Sequence, residues 1–483
     1  MNPTIFISDT IAAIATAPGV GGIAVIRVSG NDAIQNVSKI FKGKNLIEQK
    51  GYTAHFGKIV VVKSDYKSVP NHIGTHELWI TNPKQQKTEQ IIDEVVVTLF
   101  KNPHSYTGED VVEISCHGSV FIQQQILEAL LKSDCRLAKP GEFTQRAFLN
   151  GKMDLSQAEA VADLIASQNE SAHKVALQQL RGGYSSELKN LRERLIWFAS
   201  LIELELDFSQ EDVEFADRKQ LFDLVDELQN KLSPLIQSFQ LGNAMKNGIA
   251  TAIVGNPNAG KSTLLNTLLK ENRAIVSSIA GTTRDTIEES LNINGIIFRL
   301  IDTAGLRKSN DEIEIIGVEK SYEKIKEAQL ILYVFDVNEM DEEDLKTEIE
   351  KLKIENQKLI LVANKIDEKN EFRIQNSEFR IQNISAKEKK NIDELKQLIY
   401  STALENAANY EGVIVSNARH VEQLQKAFAI LFEVRQGLEN DEMTDIIAFH
   451  LRHALYALAE ITGEIQHDRD ILGTIFGKFC IGK

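Results

Sequence analysis

What this 483-residue chain lacks narrows it first. It has three cysteines, Cys116, Cys135 and Cys480, at no spacing that pairs them. A disulfide framework and a cysteine zinc cluster are thereby excluded, and a reducing compartment is expected. No run approaches the ~18 apolar residues of a membrane span, and the opening Met-Asn-Pro-Thr-Ile-Phe-Ile-Ser-Asp has no basic segment followed by an apolar one. The expectation is a cytoplasmic protein with no membrane attachment. Positive charge is also in deficit, with 54 Lys and Arg against 69 Asp and Glu, a net charge of -15. That balance disfavours a broad, non-specific grip on nucleic acid, which needs clustered cations, and leaves open a local basic patch or a partner that supplies one.

What is present is 43% hydrophobic and 25% charged, the balance of an ordinary soluble protein with room for about two to four domains. Residues 1–150 mix short β-rich runs (23–28, 59–62, 94–99, 111–115) with turns at Pro18-Gly19, Gly21-Gly22 and Pro140-Gly141, an α/β pattern. Over 151–242 the spacing of Leu155, Ala158, Ala162 and Ile165 is helical, with a break at Gly182-Gly183. Residues 243–408 alternate strand and helix signals, with apolar runs at 249–254, 296–301, 330–337 and 359–363 of the kind that form buried parallel strands. Helical texture returns in 409–483, where Ile447, Leu451, Leu455 and Leu458 share a face. Neither helical stretch can bury its stripe alone, so the two are expected to pack together around an inserted α/β domain. The heptad Glu371-Phe-Arg-Ile-Gln-Asn-Ser377 recurs at once as Glu378-Phe-Arg-Ile-Gln-Asn-Ile384. It reads as a duplication in a surface loop, with a partner-binding segment as the alternative.

Four motifs follow in order within 243–408: Gly255-Asn-Pro-Asn-Ala-Gly-Lys261-Ser262, Thr282-Thr283, Asp302-Thr-Ala-Gly305 and Asn364-Lys-Ile-Asp367. The first is a phosphate loop. Its glycines let backbone N–H groups turn inward, Lys261 reaches the β/γ oxygens, Ser262 binds Mg²⁺, and the helix beginning there adds its positive end. Thr283 is placed to close on the metal, and Asp302 with Gly305 to sense the γ-phosphate. Asn364 and Asp367 choose guanine, since a carboxylate accepts from the base's N1–H and amine, which adenine cannot offer. Ser385-Ala386-Lys387 fits the loop that completes the base pocket. Jointly these predict a GTP site.

A glutamine is missing where one was expected. Ras-type GTPases carry it immediately after the sensor glycine to orient water, and here the position is Leu306. Two groups could compensate. Asn258 could help hold a monovalent cation near the phosphates, placing positive charge where negative charge develops. Glu314, in Asp311-Glu312-Ile313-Glu314, could orient a water or be a solvated carboxylate.

These departures, with the termini, resemble the MnmE (TrmE) family of tRNA-modifying GTPases over essentially the whole chain. The pieces that carry the resemblance are Phe479-Cys480-Ile-Gly-Lys483, Gly281-Thr-Thr-Arg-Asp285, Asp302-Thr-Ala-Gly-Leu-Arg307, Phe148-Leu-Asn-Gly-Lys152-Met-Asp-Leu-Ser-Gln-Ala-Glu159, and Ala17-Pro-Gly-Val-Gly-Gly22 before Ile26-Arg-Val-Ser-Gly30. The resemblance implies a homodimer of an N-terminal folate-binding α/β domain (1–150), a discontinuous helical domain (151–242 and 409–483) and an inserted Ras-like G domain (243–408). It implies action with an FAD-containing partner (MnmG, or GidA) on the wobble uridine of certain tRNAs. A (carboxymethyl)aminomethyl group is added at carbon 5, its methylene drawn from a tetrahydrofolate.

The resemblance further implies GTP contacts along Asn258, Ala259, Gly260, Lys261, Ser262 and Thr263, and along Ser277, Ser278, Ile279, Ala280, Gly281, Thr282 and Thr283. Others fall at Asp302, Thr303, Ala304 and Gly305, at Asn364, Lys365 and Asp367, and at Ser385, Ala386 and Lys387. Mg²⁺ falls to Ser262 and Thr283. K⁺ falls to Asn258, Ser277, Ile279 and Thr282. Glu314 matches the family's catalytic glutamate, and Cys480 is tied to the modification reaction, though on residues alone it reads first as an anchor of the tail by packing and only second as a nucleophile. The folate pattern maps onto Arg27, Glu113, Lys152 and Lys483. Without the resemblance, Arg27 would be a structural ion pair and Glu113 a strand-edge charge. His117-Gly118 fits a family pair whose role could be a turn or catalysis. The alternative function is a GTPase switch on ribosomal RNA, and it needs a basic RNA-binding module beside the G domain. The flanks here are acidic-to-neutral helices and a glycine-rich α/β domain.

Overall fold

The computed structural model describes residues 9–64, 87–207, 217–272, 289–301, 326, 328–352, 354, 357–368, 372, 379–404, 412–464 and 482. The chain divides into two compact units, one of residues 1–162 with 463–483, the other of 163–462.

The first unit is built on seven strands: β1 (Thr10–Ile14), β2 (Ile23–Ser29), β3 (Phe41–Lys42), β4 (Thr53–Ser64), β5 (Lys87–Phe100), β6 (Val111–His117) and β7 (Cys135–Leu137), in the order β3-β4-β5-β6-β2-β1-β7. Every pairing is antiparallel except β1 with β7. Alternation sorts the strands' side chains. Ala24, Ile26, Val28, Val95, Val97, Leu99, Val112 and Ile114 face a core shared with α1 (Ala33–Ser38) and α2 (Val120–Leu131). On the opposite side of β1, Ile11 and Ala13 pack with Phe143 of α3 (Glu142–Leu149) and Ala138. Arg146 of α3, 1% exposed, is held by Asp9, Glu109 and Glu142. A buried guanidinium survives because three carboxylates and hydrogen bonds compensate its lost hydration. α4 (Leu155–Ala166) follows.

In the second unit, α5 (Glu170–Leu180) gives way to α6 (Ser185–Asp207) at Gly182 and Gly183, both in left-handed backbone, which places the break where the sequence put it. α6 and α7 (Arg218–Asn247) share one core with two late helices, 418–439 and 444–462. Between them lie β8 (Ile249–Val254), α8 (Lys261–Asn272), β9 (Glu289–Ile293), β10 (Ile296–Ile301), β11 (Leu330–Asp336), α9 (Glu342–Lys351), β12 (Lys358–Asn364), β13 (Arg380–Asn383) and α10 (Ile392–Leu404). The late pair are then α11 (Ala418–Glu439) and α12 (Thr444–Thr462). The six strands run β13-β12-β11-β8-β10-β9, parallel but for the β9–β10 hairpin. β11 is buried along its whole length, as a central parallel strand must be.

One expectation needs correction. The repeated heptad was read as a surface loop, yet residues 380–383 of the second copy form the edge strand β13, paired with 360–363 of β12. Ile384 after it is fully buried. The loop reading failed because the run is short, and pairing with a neighbour, which sequence does not display, decides its state.

Candidate functional site

The parallel strands of the second unit end at one edge, and the nucleotide motifs sit there. Gly255 follows β8 with φ 139°, and a Cβ on it would lie 1.9 Å from the Val334 carbonyl oxygen of β11. Only glycine lets the loop turn so close to the next strand. Asn258, exposed, also takes positive φ. Lys261 opens α8, and its Nζ donates to the carbonyls of Gly255 at 2.8 Å and Asn256 at 2.6 Å. The ammonium therefore sits within the curl of the loop, where phosphate oxygens can replace those acceptors. Burial holds its pKa below the ordinary lysine range, which favours a site that supplies anionic oxygens.

Asn364, at the end of β12 and buried, ties the site together. Its Nδ2 donates to the Ala259 carbonyl at 2.8 Å, and its Oδ1 accepts from the Ala386 N–H at 3.0 Å. The phosphate loop and the loop after β13 are thus joined by one side chain. Thr267 of α8 secures the second loop by donating to the Ala386 carbonyl at 3.1 Å. Lys365, in left-handed backbone, is anchored by Asp336 at 2.6 Å. Asp367 is held below the usual carboxylate range by a hydrogen bond from Ser385, against burial, with Lys387 and Lys365 adding to the lowering. It is an ionised acceptor at neutral pH. Asn258, Ala259, Gly260, Lys261, Ser262 and Thr263 are therefore brought to one edge with Asn364, Lys365, Asp367, Ser385, Ala386 and Lys387. Residues 277–283, 302–306 and Glu314 lie outside the described residues.

A second constellation lies in the first unit. Arg27 of β2 is paired across the ladder with Glu113 of β6, its Nε and Nη2 reaching Glu113 Oε1 at 2.9 and 2.8 Å. Tyr106 and Phe143 place their rings 5.5 and 5.7 Å from the guanidinium carbon. Arg27 Nη1 also donates to the Gly482 carbonyl at 3.3 Å, so Gly482 lies beside this pair. Lys152 Nζ donates to the Pro103 carbonyl at 3.0 Å. Cys480 and Lys483 lie outside the described residues. The other two thiols are buried, and burial first of all pushes Cys116 and Cys135 each up to about 11, which leaves them unreactive.

Sequence reading missed Asp336, Thr267, Tyr106 and Phe143. Asp336 alone left a trace, as the one charged residue inside the apolar run 330–337. The others act through tertiary contacts that no local pattern records.

Comparison with known proteins gives two family matches, the GTP-binding protein TrmE N-terminus over residues 10–152 and the MnmE helical domain over 155–480. A protein of Flavobacterium psychrophilum described as tRNA modification GTPase MnmE is 50% identical over 485 residues, covering 98% of this chain and 99% of its own. One of Cytophaga hutchinsonii with the same description is 49% identical over 478 residues, covering 99% and 98%.

Proposed function

The chain belongs to the MnmE family of tRNA modification GTPases, and from that premise we propose how its own residues do the work. It binds and hydrolyses GTP in the service of tRNA modification. The finer reading is a K⁺-stimulated homodimer that acts with the FAD-containing partner MnmG. Together they place a (carboxymethyl)aminomethyl group on carbon 5 of the wobble uridine, using a tetrahydrofolate one-carbon unit. The domain division proposed is 1–150, 151–242 with 409–483, and the inserted 243–408.

The observation that carries the nucleotide half is the double hydrogen bond of Asn364, which holds the phosphate loop and base loop at one sheet edge. Lys261 and the loop N–H groups bind phosphates; Asp367, ionised, accepts from guanine. Ser262 and Thr283 are assigned to Mg²⁺, and Asn258 with Ser277, Ile279 and Thr282 to K⁺. The exposed Asn258, on a loop held in left-handed backbone, suits a cation ligand. Leu306 cannot orient water, so Glu314 is assigned that role.

For the folate half, the residues present fit the group. A carboxylate, a guanidinium and two aromatic rings converge at Arg27, and a pterin offers an amidine-like edge for Glu113 and flat faces for the rings. A bound tetrahydrofolate would supply the one-carbon unit. Lys152 and Lys483 are assigned to its carbonyl and carboxylate oxygens, and Cys480 to the reaction at that site.

Steady-state hydrolysis in K⁺ and Na⁺ buffers tests the catalytic reading. K⁺ should give the faster turnover, and Glu314→Ala should lower it by ~10²-fold or more, the usual worth of a positioned base, with GTP affinity near normal. Equal rates in the two salts would remove potassium from the account, and retained turnover would remove Glu314.

A further inference from the structure

Two motifs remain unused, the loop Ala17-Pro-Gly-Val-Gly-Gly22 and the pair His117-Gly118, and the fold brings them together. Gly21 N–H donates to the Gly118 carbonyl at 3.2 Å, and Gly118 N–H to that of Gly22 at 3.4 Å. A Cβ on Gly118 would sit 2.3 Å from the Gly21 carbonyl oxygen, so no other residue permits this approach. His117 is thereby fixed beside the loop at the end of β6. Its ring, 69% exposed, is anchored from beneath: Asp93, 8% exposed, accepts from Nδ1 at 2.7 Å through Oδ1 and from the His117 backbone N–H at 2.8 Å through Oδ2. Asp93 occupies that place because β5 is irregular there, Ile59 pairing with Asp93 while Val60 pairs with Ile91. A buried carboxylate on Nδ1 leaves Nε2 as the outward atom, the arrangement that orients an imidazole for work on something outside.

Register places this histidine relative to the Arg27–Glu113 pair. Arg27, Val25 and Ile23 of β2 stand opposite Glu113, Ser115 and His117 of β6, all on one sheet face. From Glu113 to His117 is four residues, ~13 Å along the strand. Between them lie half-buried Val25 and Ser115, with Val96 of β5 opposite Ser115 and exposed. The face therefore runs from an ion pair, over a small apolar floor, to an oriented imidazole.

We propose that this face is one elongated ligand platform, on which His117 takes the anionic arm of the ligand whose head meets Arg27 and Glu113. The proposal rests on the reduced-folate reading and deepens it. The span exceeds a bicyclic pterin but suits one carrying its aminobenzoyl-glutamyl arm, whose ring lies on the floor and one of whose two carboxylates meets Nε2, the other being left to the lysines. His117 donates inward to Asp93 through Nδ1–H and presents Nε2 outward, where a proton shared with the ligand carboxylate makes a charge-assisted bond. Asp93 is a positioning residue; His117 is the contact.

The test is binding by the full-length protein, with two probes: 5-formyltetrahydrofolate, which carries the arm, and 6-methyltetrahydropterin, which lacks it. His117→Gln should weaken the first about tenfold, a change of ~1.4 kcal/mol, and leave the second unchanged. His117→Lys, which keeps a cation, should restore most of the loss, and Glu113→Gln should weaken both probes. If His117→Gln changes neither probe, or changes both alike, the platform is wrong while the folate reading stands. If the unaltered protein binds neither probe, the folate reading itself fails and takes the platform with it.

Discussion

Arg146 shows what single residues contribute, because its partners set a signature that can be read against pH. Burial raises the Asp9 and Glu142 carboxyls, but hydrogen bonds and charge from Arg136 and Arg146 outweigh it, and both end below their ordinary values. Groups with depressed folded pKa stabilise the fold above their unfolded values of 3.8 and 4.5 and lose that contribution as pH falls through the folded ones. Arg146→Met leaves Glu109 without its arginine and Glu142 with Arg136 alone, and should cost about 3 kcal/mol at neutral pH. The difference from the unaltered protein should shrink below pH ~4, where the carboxylates no longer need a cation. Urea unfolding at pH 7 and pH 3 checks it, and a gap that stays constant would contradict the charge account. At this scale the nucleotide residues were legible and their supports were not. Lys261 and Asp367 announce themselves by spacing, because phosphate and guanine demand those groups at those intervals. Asp93 and Tyr106 act by touching a residue far away in sequence, and only folding reveals them.

Strands were read well where burial on both faces wrote long apolar runs, and β8 and β10 begin and end where the sequence put them. β13 was misread because an edge strand owes its state to its neighbour. Its sequence has a further consequence, since Arg-Ile-Gln-Asn occurs at 373–376 as well as at 380–383. Either copy could pair with β12 as far as the strand itself is concerned. The copies differ in the next residue, Ser377 in one and Ile384 in the other. Ile384 is fully buried in the core of the sheet, its N–H bonded to the Ala363 carbonyl at 2.8 Å. A serine there would forfeit ~2 kcal/mol of apolar burial or more, so this one difference selects the register. Ser377→Ile erases it. If the two pairings then become equally populated, half the molecules hold Ser385–Lys387 out of place and the apparent Kd for GDP doubles. Titration with a fluorescent GDP analogue measures this; an unchanged Kd would mean that contacts beyond Ile384 fix the register.

The whole molecule was legible in outline because its segments differ in texture. Helical stripes too short to bury themselves led to the expectation of a shared core, and Leu195, Leu228, Leu424 and Leu451 lie in one, whereas residues 151–162 and 463–483 of the expected helical domain fall in the other compact unit. The contact of Gly482 with Arg27, 455 positions away in sequence, was not legible from spacing. At this scale the chain carries a GTP site in one unit and a candidate folate site in the other. The most direct test is mass spectrometry of tRNA nucleosides from cells with and without this gene. Deletion should remove the 5-substituted wobble uridines, and the intact gene should restore them while Lys261→Ala does not. An unchanged nucleoside profile on deletion would contradict the account and favour a GTPase acting on ribosomal RNA.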